Sequence, residues 1–198
     1  MKERKTPDWQ IFWLIIVILI LHDALIVGYY ITFHKADSIQ MSGSGSDSKA
    51  LLEDFGPAPD FNLPDPDGNM VRLSGFSNQV VLVNFWGTWC PSCCDELPDM
   101  DRVYRKFKDK GFALIGIAVE FDRAPEKRLQ KVKNKVNEMG IAFPVVMGDA
   151  AAIESFGGKP ENFPQTYLID RHGKIRKIVI GARQEEYWER LVQKALSE

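Results

Sequence analysis

All three cysteines of the 198-residue chain fall inside one short stretch, FWGTWCPSCC, residues 85–94. Cys90 and Cys93 form a C-x-x-C, and Cys90 and Cys94 form a C-x-x-x-C. Thiols so grouped can bind a soft metal, supply the nucleophile of a hydrolase, or cycle between dithiol and disulfide. A closed zinc site needs four ligands, commonly including a second Cys or His pair. The only histidines are His22 and His34, in and at the edge of an apolar segment, and His172, in a turn between two strand-like runs. A cysteine hydrolase needs a base beside its thiol, and His172 would have to reach Cys90 from the end of a hairpin. The redox dithiol is therefore the leading reading. Copper(I), which accepts soft thiolates at low coordination number, is the metal alternative.

The flanking sequence places the cluster where a strand meets a helix. VVLVNFW (Val80–Trp86) and FALIGIAV (112–119) are near-continuous apolar runs, as strands covered on both faces tend to be. Between them Leu97, Met100, Val103, Tyr104 and Phe107 recur at helical spacing and stop at Gly111, a β-α-β crossover. Cys90 then opens the helix, where unpaired backbone N–H groups and the positive end of the macrodipole stabilise a thiolate. Pro91 suits the first helical position because it has no N–H to leave unpaired. Cys93 lies about one turn on, within reach of a disulfide to Cys90. Cys94, at i+4, is a competing partner for Cys90, and its expected orientation is away from the reactive sulfur.

The remaining pattern is that of one α/β domain over residues 55–198, about 140 residues and enough to bury a full core. DFNLPDPDGNMVRL reads as two short strands around an Asp-Pro-Asp-Gly turn. Leu129, Val132, Val136 and Met139 form one helical stripe between Pro125 and Gly140. The lysines on that helix, Lys127, Lys131, Lys133 and Lys135, read as a solvated face. FPVV, a short helix near Ala150 to Phe156, and a hairpin turning at Asp170 to Gly173 follow. A last helix is expected to turn Tyr187, Trp188, Leu191, Val192 and Leu196 inward. The order β-α-β then β-β-α is that of a thioredoxin fold with an N-terminal β-hairpin extension and an inserted helix.

Ahead of this domain lie an anchor and a tether. Residues 1–8 carry Lys2, Arg4 and Lys5, and residues 9–33 are largely apolar with aromatics at both ends. About 25 residues at about 1.5 Å each suffice to cross a ~30 Å hydrocarbon layer. The basic cluster predicts a cytoplasmic N-terminus and an extracytoplasmic domain. A cleaved leader is the competing reading, with residues 9–21 as its apolar core, but no small-x-small cleavage site follows. His22 and Asp23 interrupt the span, where an ionised Asp costs about 2.5–3.5 kcal/mol, either tolerated in neutral form or facing a partner's helix. Residues 34–54, with SGSGSDS, read as a flexible linker. A net charge of −2 gives no reason to expect nucleic acid, and three cysteines are too few for a disulfide-stapled mini-domain.

VVLVNFWGTWCPSCCDELP, the preceding PAPDFNLPDPDG and the later FPQTYLIDRHGKI together resemble the membrane-anchored ResA/TlpA/CcmG-like (DsbE-type) branch of the thioredoxin superfamily, over nearly all of the chain from Gly56. The resemblance implies a thiol:disulfide oxidoreductase with Cys90 as nucleophile and Cys93 as resolving thiol, and no cofactor beyond that disulfide. It implies a cis Phe163–Pro164 bond beside the disulfide, and substrate contacts from Trp89, Pro91, Phe163 and Gln165. Glu96 matches the acidic residue that such proteins place near the thiols, where a carboxylate can shuttle a proton. A solvated glutamate in the first helical turn is its plainer reading. Asn84 stands where thioredoxin has a buried Asp and cannot deprotonate Cys93. Glu120 and Asp122 are weaker acidic candidates. By resemblance, the partners are protein disulfides, apocytochrome c Cys-x-x-Cys-His segments among them, and a membrane electron donor of the CcdA/DsbD type.

Two related classes fit less well. The C-x-x-x-C of Cys90 and Cys94 resembles the copper motif of Sco-type proteins, which also use a later-loop histidine; none occurs between His34 and His172. Peroxiredoxins share the fold and the PAPDFNL stretch, but their site resembles Pro-x-x-x-Thr-x-x-Cys. Here Thr88 precedes Cys90 by two residues and no proline stands in the required place.

Overall fold

The structure, a computed structural model, describes residues 52–198. The expected anchor at 9–33 and most of the linker at 34–54 lie outside the described residues. Among the described residues, no helix is long and apolar enough to cross a membrane.

Among the described residues, seven strands and four α-helices follow in the order β1 (Asn62–Pro64), β2 (Met70–Arg72), β3 (Val80–Trp86), α1 (Pro91–Phe107), β4 (Phe112–Ala118), α2 (Pro125–Met139), β5 (Val145–Met147), α3 (Ala150–Ser155), β6 (Gln165–Ile169), β7 (Ile175–Ile180) and α4 (Glu185–Leu196). β1 and β2 form an antiparallel pair around a turn in which Asp65 accepts the N–H groups of Asp67 and Asn69. The other five strands form one sheet in the order β5-β4-β3-β6-β7. β3, β4 and β5 are parallel, while β6 runs antiparallel to β3 and β7 antiparallel to β6. Every residue of β3 and β4 is buried, the outcome that two unbroken apolar runs require of central strands.

α1 begins at Pro91, runs through Phe107, and ends in a short 3-10 turn at Gly111, whose φ of 82° lies in the left-handed region. It buries Cys93, Glu96, Leu97, Met100, Asp101, Val103 and Phe107. The buried Asp101 accepts the Ala142 N–H at 2.7 Å and pairs with Arg105, so the helix is fastened to the loop before β5. α2 is packed more superficially. Val132 alone is fully buried, and Lys131, Lys133 and Lys135 pair with Asp122, Asp67 and Glu138 rather than forming a free basic patch.

Two sequence expectations shift. α4 buries Trp188, Leu191, Val192 and Ala195, whereas Tyr187 and Leu196 are half-buried. The stripe is centred one residue earlier at its C-terminal end, because the small Ala195 fits where the helix meets the core. The domain also begins before Phe55. Glu53 and Phe55 donate their N–H groups to the carbonyls of Arg176 and Ile175, and Asp54 pairs with Lys174. β7 is one of the two edge strands, and this segment covers part of its free hydrogen-bonding edge.

Candidate active site

The chain leaves β3 at Trp86, makes the turn Gly87–Thr88–Trp89, and enters α1 with Cys90 as N-cap. Three contacts from the end of β4 fix that turn. Val119 donates its N–H to the Trp86 carbonyl, the Trp89 indole Nε1 donates to the Val119 carbonyl at 2.8 Å, and Glu120 accepts the Thr88 N–H at 2.7 Å. Glu120 is buried, so of the two weaker acidic candidates it is the one built into the site. Asp122 is instead engaged by Lys131, whose hydrogen bond holds its carboxyl below the usual range.

Cys90 and Cys93 form a disulfide with Cα atoms 5.3 Å apart. The two sulfurs differ in access: Cys90 is 5% exposed and Cys93 is fully buried. The Cys90 sulfur accepts the Cys93 backbone N–H at 3.3 Å, and the Ser92 hydroxyl lies 3.5 Å away. An N-cap sulfur that accepts an N–H of the first turn occupies the position of a capping oxygen, where negative charge is favoured. Cys94 is the remaining thiol. Its Sγ points to the carbonyls of Gly87 and Thr88, 3.9 and 4.0 Å away, and burial pushes its pKa up. It is turned toward the Gly87–Thr88 backbone and is not part of the disulfide.

The Phe163–Pro164 peptide is cis. β3 and β6 pair with Phe85 opposite Gln165, so Pro164 and Cys90 lie at the same end of the sheet. Trp89 stacks on Phe163 with ring centres 5.9 Å apart and planes at 22°, joining the two loops. Pro91 is exposed at the first helical position. His172 is exposed in the β6–β7 turn, next to Ile169, which pairs with Val81 at the other end of β3. It therefore has no route to Cys90. Among the described residues, no group of three or more His, Cys, Asp or Glu side chains is placed to hold a metal.

Gln165 directly follows the cis proline and opens β6. Its side chain is buried, with Nε2 donating to the Tyr167 hydroxyl at 2.7 Å and Oε1 accepting the Lys159 N–H. Its side-chain amide is therefore occupied inside the fold. Tyr167 passes the bond on to the Phe156 carbonyl, and burial raises its pKa to about 12. Tyr167→Phe leaves two buried polar groups without this partner, and a loss of about 1–2 kcal/mol is expected in urea denaturation. Stability equal to that of the parent protein would show that the Gln165–Tyr167–Phe156 chain contributes nothing.

Glu96 is not the solvated glutamate of the plainer reading. It is 2% exposed and faces α4, with Oε1 accepting the Arg183 backbone N–H at 2.8 Å and the Trp188 indole N–H at 3.1 Å. Oε2 is buried without a hydrogen-bond partner. Burial pushes the carboxyl up to about 7, although both hydrogen bonds and the Arg183 charge pull the other way. The helix places it one turn beyond Cys93, and it also lines a cleft of about 820 Å³ with Asp95, Asp99, Arg183, Tyr187 and Arg190. Asn84, on β3, is fully buried and donates to the Thr166 hydroxyl, so it braces β3 against β6.

The AhpC/TSA family pattern matches residues 56–178. Thiol-disulfide oxidoreductase ResA of Bacillus anthracis is 37% identical over 139 residues, covering 69% of this chain and 75% of that protein. The chain belongs to the AhpC/TSA family and, within it, to the ResA-type thiol:disulfide oxidoreductases. The ResA of Halalkalibacterium halodurans is 29% identical over 195 residues, 98% of this chain and 97% of that one. Among solved structures, a thioredoxin-family thiol:disulfide interchange protein of Chlorobium tepidum superposes with a TM-score of 0.63 at 33% identity, covering 71% of this chain and 95% of the other. The ResA-type assignment and the thioredoxin-like fold agree with the dithiol reading of the cysteine cluster, and nothing favours the copper alternative.

Two site residues escaped the sequence reading. Gly87 carries no reactive group, and its importance comes from space alone. Phe121 is an isolated aromatic in the polar stretch EFDRAPEK, immediately after a buried strand, and that exposure was the available signal.

Proposed function

We propose that this protein is a membrane-tethered reductant of protein disulfides, with its catalytic domain outside the cytoplasm. The Cys90 thiolate attacks one sulfur of a substrate disulfide, forming a mixed disulfide and releasing the other substrate sulfur as a thiolate. Cys93, after losing its proton, attacks the Cys90 sulfur and releases the second substrate thiol. Two electrons pass to the substrate, and the protein is left with the Cys90–Cys93 disulfide. A membrane electron donor of the CcdA/DsbD type restores the dithiol. Apocytochrome c segments with Cys-x-x-Cys-His are the proposed substrates.

The observation that carries this reading is the inequality of the two sulfurs. Only Cys90 has any surface and a helix N-terminus behind it, while Cys93 is sealed beneath. In this reading Glu96 accepts the Cys93 proton, and the cis-Pro164 loop with Trp89, Pro91 and Phe163 borders the incoming chain. Cys93→Ser in the intact membrane protein tests it. The variant is expected to accumulate covalent complexes that thiol reductants release, an apocytochrome c among them, and that vanish when Cys90 is also replaced. Complexes that form without Cys90, or none at all, would overturn the assignment.

A further inference from the structure

Beside the disulfide lies a row of three aromatic rings. Phe163 is buried at 9% exposure, Trp89 is 42% exposed, and Phe121 is 62% exposed. Trp89 is held between the other two, 5.9 Å from Phe163 and 5.2 Å from Phe121, centre to centre. The indole cannot swing freely, because Nε1 is bonded to the Val119 carbonyl and the ring packs against the Cα of Gly87. The acids nearest Phe121 in sequence are both engaged: Glu120 holds Thr88 and Asp122 holds Lys131. The result is an apolar ledge, fixed at its centre and open at its outer end, with the exposed Arg123 two residues beyond Phe121. Phe121 has no task in the fold that requires this exposure.

We infer that Phe121, with Trp89 and Phe163, forms a subsite for a large apolar side chain next to the target cysteine of an extended polypeptide substrate. The inference rests on Cys90 as the attacking sulfur and adds a preference for what flanks the sulfur attacked. The ledge starts at the residue preceding Cys90, so a chain whose cysteine reaches that sulfur lays its neighbouring residues across the rings. At about 3.3 Å per residue, the row spans no more than about three residues of extended chain. A polypeptide is therefore the occupant that fits both the position and the length. An aromatic or branched aliphatic flank gains area and ring contact there, whereas serine gains neither.

The test uses the reduced full-length protein in detergent and two synthetic peptides, each closed by an internal disulfide, with Phe or Ser immediately before the first cysteine. The second-order rate for the Phe peptide is expected to exceed that for the Ser peptide by about threefold to tenfold. In Phe121→Ala the ratio is expected to fall to within about twofold, and Phe121→Leu is expected to keep at least half of the preference. Met70→Ala, which removes an equally exposed apolar side chain on β2, is expected to keep the parent ratio. An unchanged ratio in Phe121→Ala, or no preference in the parent protein, overturns the inference. So does a dimer that dissociates in Phe121→Ala without any flank preference, since that outcome assigns the ledge to a second copy of the chain. Failure of the parent protein to reduce either peptide would count against the proposed function instead, so the two failures are distinguishable.

Discussion

Glutamine in place of Glu96 is expected to slow resolution of the mixed disulfide by about a hundredfold at neutral pH, while making the folded protein more stable at pH 8. Both effects come from one buried carboxyl. If it accepts the Cys93 proton, it must be ionised, and its pKa of about 7 places that transition at neutrality. The parent protein's resolving step should therefore accelerate as pH rises through 7, and the glutamine variant should lack that inflection. The lifetime of a mixed disulfide, measured by acid quench across the neutral range, reads this directly. An inflection that survives in Glu96→Gln would assign it to another group.

The stability effect has the opposite sense. The folded-state pKa, about 7, lies above the ordinary 4.5, so between these values the folded protein holds more protons than the unfolded chain. Stability is greatest below 4.5, as far as this group is concerned, and falls as pH rises toward 7. The full difference corresponds to roughly 3 kcal/mol. Glutamine keeps an oxygen for the Arg183 and Trp188 donors and never ionises. Urea denaturation should show Glu96→Gln gaining about 1–3 kcal/mol at pH 8 and little at pH 5. A loss at pH 8 would mean that the carboxylate form stabilises the fold.

Alanine at Gly87 is expected to lower the rate with disulfide substrates by about tenfold to a hundredfold and to reduce stability by about 1–3 kcal/mol. A Cβ there would lie 2.3 and 2.7 Å from two atoms of the Trp89 indole and 2.8 Å from the Val119 carbonyl. The carbonyl belongs to the backbone at the end of β4, so the indole must yield. It then loses its bond to Val119 and its place between Phe163 and Phe121. The Gly87 carbonyl also accepts the Cys90 N–H, so the displacement reaches the N-cap. Stopped-flow exchange and denaturation measure the two losses. Parent-like values for both would show that the turn has slack that these distances do not suggest.

Residues whose positions follow from chain-local rules were legible in the sequence. Cys90 at the N-cap, Pro91 after it, Gly111 at the helix end and the two sealed strands β3 and β4 all follow from spacing and backbone chemistry. Glu96 and Gln165 were harder, because contacts made only in the assembled fold decide which way each side chain turns. Glu96 is buried by Trp188 and Arg183, about ninety residues later, and Gln165 is held by the Tyr167 hydroxyl and the Lys159 N–H. A hint did exist for Glu96, which shares its helical face with Cys93, Leu97 and Met100. Gly87 was silent, since a requirement for empty space has no signature in residue type.

Cys94 also determines how the molecule behaves wherever oxidants are abundant. A chain with an odd number of thiols tends to end as covalent pairs, joined through the sulfur that has no mate. This sulfur is turned toward two backbone carbonyls and stays protonated to a higher pH than a free cysteine does. Its reluctance to ionise slows attack on a neighbouring molecule, so repeated oxidation and reduction of the working pair need not build up cross-linked dimers.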